Sequence, residues 1–152
     1  MSGEQDPVLF GMRGDPQWAA LSNFHPTPIV VDGRTYPTAE HYYQACKAAT
    51  DEGHEMVRAA PTPAQAKKCA RQLPRPPNWD RERLEVMRVA LLAKFRQHPD
   101  LRALLLSTGE RPIHEAAPHD ATWGWLDGRG QDLLGRLLME VRAQLRQEET
   151  AG

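Results

Sequence analysis

The sequence predicts an α+β domain, rich in helix with a small sheet or hairpin, on three observations. Apolar residues recur at helical spacing in several separate stretches, short β-branched runs are bounded by turn residues, and no internal repeat points to a solenoid or propeller. A length of 152 residues suits one domain over 7–147, between flexible ends at 1–6 and 148–152.

Val8-Leu-Phe10 reads as a short strand leading into the loop 11–16. After Leu21-Ser-Asn-Phe24 and Pro26-Thr-Pro28, the run Ile29 to Val31, Asp32-Gly33 and Arg34 to Tyr36 reads as strand, two-residue turn and strand, hence a hairpin. Thr38 is a natural N-cap. Behind it Ala39, Tyr42, Tyr43 and Cys46 fall at i, i+3, i+4 and i+7 and form an apolar stripe. Glu40, Gln44 and Lys47 recur on the polar side with Tyr43 at the boundary, so an acid, an amide and a cation point one way. That row suits a polar ligand, and it equally suits the solvated face of an amphipathic helix.

A short helix follows over 51–59, and Thr62 caps a third, with Pro63 at its first position and no breaker before Gln72. Pro74, Pro76 and Pro77 make 73–78 a stiff loop, since prolines in that density fit neither a helix interior nor a central strand. Asn78 or Asp80 then caps a long helix with Leu84, Met87, Leu91 and Phe95 on its buried side, ending at His98-Pro99. A helix over 100–107 closes at Gly109, a strand covers 112–115, and 118–130 is a loop holding Trp123 and Trp125. The last helix starts near Asp132 and buries Leu134, Leu137, Leu138, Val141 and Leu145, with fraying expected from Glu148 on.

Composition narrows the function. A formal charge of −1 argues against a generic nucleic-acid surface, which needs an excess of Lys and Arg, while a local basic pocket stays compatible. No secretory signal and no long apolar run are present, so the reading is a cytoplasmic protein with no membrane partner. Cys46 and Cys69 sit within helical patterns and read as reduced thiols. The six histidines are dispersed, without a His-Glu-x-x-His helix or a Cys-x-x-Cys pair, so no metal is expected.

Leu21-Ser-Asn-Phe24, Glu40-His-Tyr-Tyr-Gln-Ala45, Asn78-Trp79, His119-Asp-Ala-Thr-Trp-Gly124 and Leu134-Gly-Arg-Leu-Leu-Met-Glu-Val-Arg142, in this order and across most of the chain, resemble the YbiA-like, or NADAR, family. The resemblance implies the helix-rich α+β fold of that family. It also implies cleavage of N-glycosidic bonds, either in ribosylamino-pyrimidine intermediates of riboflavin synthesis or in ADP-ribose attached to nucleobases. The family's functional glutamate falls on Glu40, its tryptophan on Trp79 and its aspartate on Asp120. Breaking C1′–N builds positive charge on the ribose, so a carboxylate near C1′ stabilises it or activates water, and a second protonates the departing base. The assignment of those two roles between Glu40 and Asp120 stays open. Trp79 offers a flat face for a base, and Lys47 either holds a substrate phosphate or attacks C1′ to form a transient Schiff base.

Substrate contacts are further expected from Asn23, Phe24, Tyr43 and Gln44, and from Trp123 and Gly124. Gly130 and Asp132 lie in the glycine-containing run that enters the last helix, where backbone N–H groups suit a phosphate. The family usually has Asn where Asp132 stands, which adds a negative charge at that end. No cofactor is required. Each group also has a structural reading: Glu40 as a helix-dipole partner, Trp79 as a core residue, and Asp120 as a loop cap. A nucleotide-derivative binding module without turnover is the rival from another functional class.

Overall fold

The structure, a computed structural model of the chain, describes residues 6–151. The expectation for 1–6 therefore lies, Asp6 apart, outside the described residues. The fold is helix-rich α+β. It comprises two compact units, one running from Asn23 to Gln97 and the other combining the chain up to Ser22 with that from His98 onward.

In the Asn23–Gln97 unit, β2 (Ile29–Val31) pairs antiparallel with β3 (Arg34–Tyr36), Ile29 facing Tyr36 and Val31 facing Arg34. Asp32 and Gly33 both have positive φ, 51° and 78°, the turn geometry that closes a two-residue hairpin. Helix α1 (Ala39–Cys46) follows, then α2 (Asp51–Arg58), α3 (Pro63–Arg71) and α4 (Trp79–Gln97). The first three start alike. Thr38, Thr50 and Thr62 each accept the N–H of the residue three further on, replacing helix bonds that the first turn lacks. Around α1 pack α2, α3, α4 and β3, over a core of Ile29, Tyr36, Ala39, Ala45, Val57, Ala66, Ala70 and Ala90. Alanines at these contacts let the helices approach closely.

Two clasps hold the loops of this unit. Ala49 N–H donates to Pro74 O at 2.8 Å, which fixes the proline loop to the chain just beyond α1. The Gln97 amide accepts from Val30 N–H and donates to Val30 O, both at 2.8 Å, completing the ladder of β2.

In the other unit, β1 (Val8–Phe10) lies parallel to β4 (Ile113–Glu115), Val8 beside Ile113 and Phe10 beside Glu115. A 3-10 helix (Pro16–Leu21), capped by Asp15, buries Trp18 and Leu21; α5 (Pro99–Ser107) and α6 (Leu133–Ala151) complete the unit. Helix α6 packs on β4 and α5, with Leu134, Leu137, Leu138, Val141 and Leu145 buried. Gly135 is needed there because a Cβ would stand 2.1 Å from Ile113 O. The buried Arg142 guanidinium donates to Thr108 Oγ1 at 2.9 Å and Arg111 O at 2.8 Å, tying α6 to the turn before β4.

Three features differ from the sequence reading. Leu84, expected on the buried side of α4, is 39% exposed near the start of that helix, while Met87, Leu91 and Phe95 are buried. The 3-10 helix was not expected, since six residues opened by a proline carry no helical period. Helix α6 continues to Ala151, past the expected fraying at Glu148, and Glu148 meets Arg102 at 3.2 Å.

Candidate active site

The start of α1 is built around a neutral histidine. His41 Nε2 lies 2.9 Å from Ala60 O, an acceptor only, so this nitrogen carries the proton. Nδ1 then accepts from the Thr38 hydroxyl at 2.9 Å, while the same hydroxyl accepts His41 N–H at 3.1 Å. Burial pushes the His41 pKa down, opposed by the bond to Ala60. The network uses the Thr38 hydroxyl and both imidazole nitrogens, which fixes the direction of the first turn and hence of Glu40.

Glu40 is buried, with 7% of its surface exposed. Its N–H donates to Asn23 O at 3.1 Å, and its Oε2 accepts from Gln44 Nε2 at 2.7 Å, one turn further on. Two acceptors in these residues, Asn23 Oδ1 and Gln44 Oε1, are buried without a hydrogen-bond partner, while Asn23 Nδ2 makes only a soft contact with Met87 Sδ at 3.2 Å. An unsatisfied buried acceptor costs about 1 to 3 kcal/mol, so a pair in two residues that each bond to Glu40 calls for an explanation.

Further along the same helix, Tyr43 packs on Trp79 with ring centroids 5.2 Å apart at 55°. Trp79 is 4% exposed and borders a cavity of about 530 Å³ that is lined by residues 75–81. At that exposure most of its indole is packing surface. Lys47, at the C-cap of α1, is half-buried, and its pKa is lowered by burial first and then by Arg75, with Glu40 opposing and Lys67 and Arg71 adding to the shift. Phe24, next to Asn23 in sequence, is 42% exposed.

In the other unit Asp120 organises a loop. Its Oδ1 accepts the N–H groups of Thr122 at 3.1 Å and Trp123 at 2.9 Å, and its carbonyl accepts Gly124 N–H at 3.0 Å. At Gly124 a Cβ would lie 2.7 Å from Ala117 O, so only glycine fits. Asp120 and Gly130 line a second cavity, of about 440 Å³, together with Ala117, Pro118 and Arg129. The run into α6 differs from the phosphate cradle expected of it. Gln131, Asp132, Leu133 and Leu134 donate their N–H groups to Ala121, Gly124, Thr122 and Trp123 carbonyls, so the loop itself occupies these donors.

Asp132 is buried with φ 58°, and its Oδ2 accepts from His114 Nδ1 at 2.6 Å; the imidazole stacks on Trp125 at 4.1 Å. Burial raises the Asp132 pKa, and the His114 bond opposes the rise. Neither His114 nor the Lys67, Arg71 and Arg75 group was singled out from sequence. Spacing of Lys67 and Arg71 at i, i+4 before a rigid loop carrying Arg75 was the available signal for the latter; His114 carried none. Among the described residues, no group of three or more His, Cys, Asp or Glu side chains could hold a metal ion.

The chain matches the family model described as NADAR domain over residues 9–146. It is 42% identical over 144 residues to N-glycosidase YbiA of Escherichia coli K12, a match spanning 93% of this chain and 90% of that protein. An N-glycosidase of Nostoc punctiforme is 37% identical over 85% of this chain and 86% of its own. A riboflavin biosynthesis protein of Vibrio vulnificus is 38% identical over 94% of this chain, which spans 40% of that longer protein. The solved NMR structure of Escherichia coli YbiA superposes with a TM-score of 0.88 at 41% identity, covering 97% of this chain and 90% of that one.

Proposed function

The chain belongs to the NADAR family, and from that premise we propose a mechanism centred on its buried carboxylate, Glu40. It is a hydrolase acting on N-glycosyl bonds. The proposed substrate is a phosphorylated ribosylamino-pyrimidine of the riboflavin pathway, a reading supported by the name of the Vibrio relative. Water oxygen bonds to C1′ and gives up one proton, the C1′–N electron pair leaves with the nitrogen, and one proton is delivered to the departing amine, so that a single water is consumed. Glu40 is assigned to the positive charge on the ribose or to the attacking water. Gln44 Nε2 holds one of its oxygens in place.

The observation that carries this reading is an acid buried at a helix start, in residues that also hold two acceptors without partners, Asn23 Oδ1 and Gln44 Oε1. Sugar hydroxyls are donors of the kind those acceptors lack. Asp120 is proposed as the second carboxylate, Trp79 as the edge against which the pyrimidine rests, and Lys47 as a phosphate contact. The reaction is placed in the cytoplasm, in keeping with the free thiols of Cys46 and Cys69; no helix among the described residues is long and apolar enough to cross a membrane.

The test is incubation of the purified protein with ribosylamino-pyrimidine phosphate, ADP-ribosylated guanosine and NAD in separate reactions, with released base and sugar followed by mass spectrometry. Release of pyrimidine amine and ribose 5-phosphate from the first alone is the expected result. Release of guanine and ADP-ribose from the second alone transfers the mechanism to an ADP-ribosyl substrate. Binding without release in all three reactions makes the chain a binding module and ends the proposal.

A further inference from the structure

Most arginines of the Asn23–Gln97 unit for which an ionic contact is seen are paired in conventional ways: Arg34 with Asp51 and Glu55, Arg58 with Glu55, Arg88 with Glu85. Lys67, Arg71 and Arg75 are different. None of the three makes an ion pair among the described residues, although each acts electrostatically on Lys47 with the sign of a neighbouring cation. Of the largest influences on Lys47, Glu40 is the carboxylate and the other side chains are cations.

The fold forces this concentration of charge. Helix α3 packs against α1, Lys67 and Arg71 are one helical turn apart on α3, and the Ala49 to Pro74 hydrogen bond brings Arg75 back to the end of α1. The prolines on both sides of Arg75 limit its backbone freedom, so the cation is held there rather than swung away. Arg75 also lines the 530 Å³ cavity that Trp79 borders. Like charges so gathered repel one another, and the cost falls when an anion with several oxygens sits among them.

We propose that Lys47, Lys67, Arg71 and Arg75 form an anion seat that takes the phosphate of the sugar substrate. The inference rests on the N-glycosidase reading of Glu40 and adds the position of the other end of the substrate. Lys47 lies seven residues after Glu40, about 10 Å along the helix axis at 1.5 Å per residue. A ribose phosphate lies along that line with C1′ toward Glu40 and the phosphate toward Lys47. Arginine suits this work because its planar fork bonds two phosphate oxygens together.

The experiment measures binding apart from turnover, by titration calorimetry of the full chain with ribose 5-phosphate and, separately, with ribose. Arg71→Ala and Arg75→Ala alter exposed side chains, and melting curves confirm that the variants are folded. The seat predicts that ribose 5-phosphate binds, that ribose binds more weakly, and that each variant lowers phosphate-sugar affinity about tenfold or more, the loss of one charge-assisted hydrogen bond. Added salt weakens the parent and has less effect on the variants. ADP-ribose in a parallel titration shows whether a diphosphate is preferred to a monoester. Equal affinity of parent and folded variants for ribose 5-phosphate overturns the seat, even if N-glycoside hydrolysis is intact. Loss of that affinity in the variants upholds it, even if no hydrolysis is found.

Discussion

At the scale of single residues, Glu40 and Asp120 are carboxylates with different neighbours, and the same substitution tests them differently. Glu40→Gln keeps an oxygen to accept the 2.7 Å bond from Gln44, so the first turn of α1 should stand while the charge is lost. We expect turnover to fall by about a hundredfold or more, the range for removal of an electrostatic or acid-base group, with little change in melting temperature. Asp120→Asn likewise keeps an oxygen for the Thr122 and Trp123 N–H groups, so the loop is preserved and a fall in rate reports chemistry. A normal rate with an intact fold in Asp120→Asn reduces that residue to a loop cap. Trp79 needs a milder change. At 4% exposure its removal leaves a cavity, and Trp79→Ala should lose about 3 to 5 kcal/mol of stability. Trp79→Phe retains a ring against Tyr43 and is the variant in which partial activity is expected; wild-type kinetics there, in a folded protein, removes the indole from the mechanism.

Elements with a local chemical signature were legible in the sequence, and those made by distant contacts were not. Thr38, Thr50 and Thr62 announce α1, α2 and α3 because a short hydroxyl satisfies a first-turn N–H, and Asp32-Gly33 announces the hairpin because both residues tolerate positive φ. The β1 and β4 pairing joins strands of three residues from opposite ends of the chain, and neither run records its partner. The same holds for the site. The Glu40, Gln44 and Lys47 row follows from helical spacing, whereas the cations gathered on Lys47 depend on how α3 and the proline loop return to α1. Thr38→Val tests the cap directly: it removes the oxygen used by His41 N–H and Nδ1, and should cost about 1 to 2 kcal/mol. If the site depends on that network, substrate KM rises in the variant as well; unchanged stability in chemical denaturation would falsify the capping role.

For the molecule as a whole, the pH dependence of stability follows from groups whose burial opposes charge. Lys94 is 1% exposed, and burial pushes its pKa from 10.5 down to about 7. Its folded pKa is below its unfolded value, so between pH 7 and 10.5 the unfolded chain binds more protons, and stability rises with pH. His41 and His54, with pKa values lowered chiefly by burial, act in the same sense below 6.5. Asp132 acts in the opposite sense: its pKa is raised from 3.8 by burial, so stability falls as pH climbs through that window. Cys46 and Tyr42 are raised from 9.0 and 10.0 by burial and again oppose the rise, but only at alkaline pH. Between pH 7 and about 9, Lys94 and the less buried Lys47 therefore govern the slope. One proton gives up to about 1.4 kcal/mol per pH unit, so denaturant unfolding should show a gain of about 2 kcal/mol over that interval. Lys94→Met, which keeps a long side chain in the same space, should remove most of the slope. A parent protein whose stability is flat from pH 7 to 9, or a folded Lys94→Met variant with the parent's slope, places the proton uptake elsewhere.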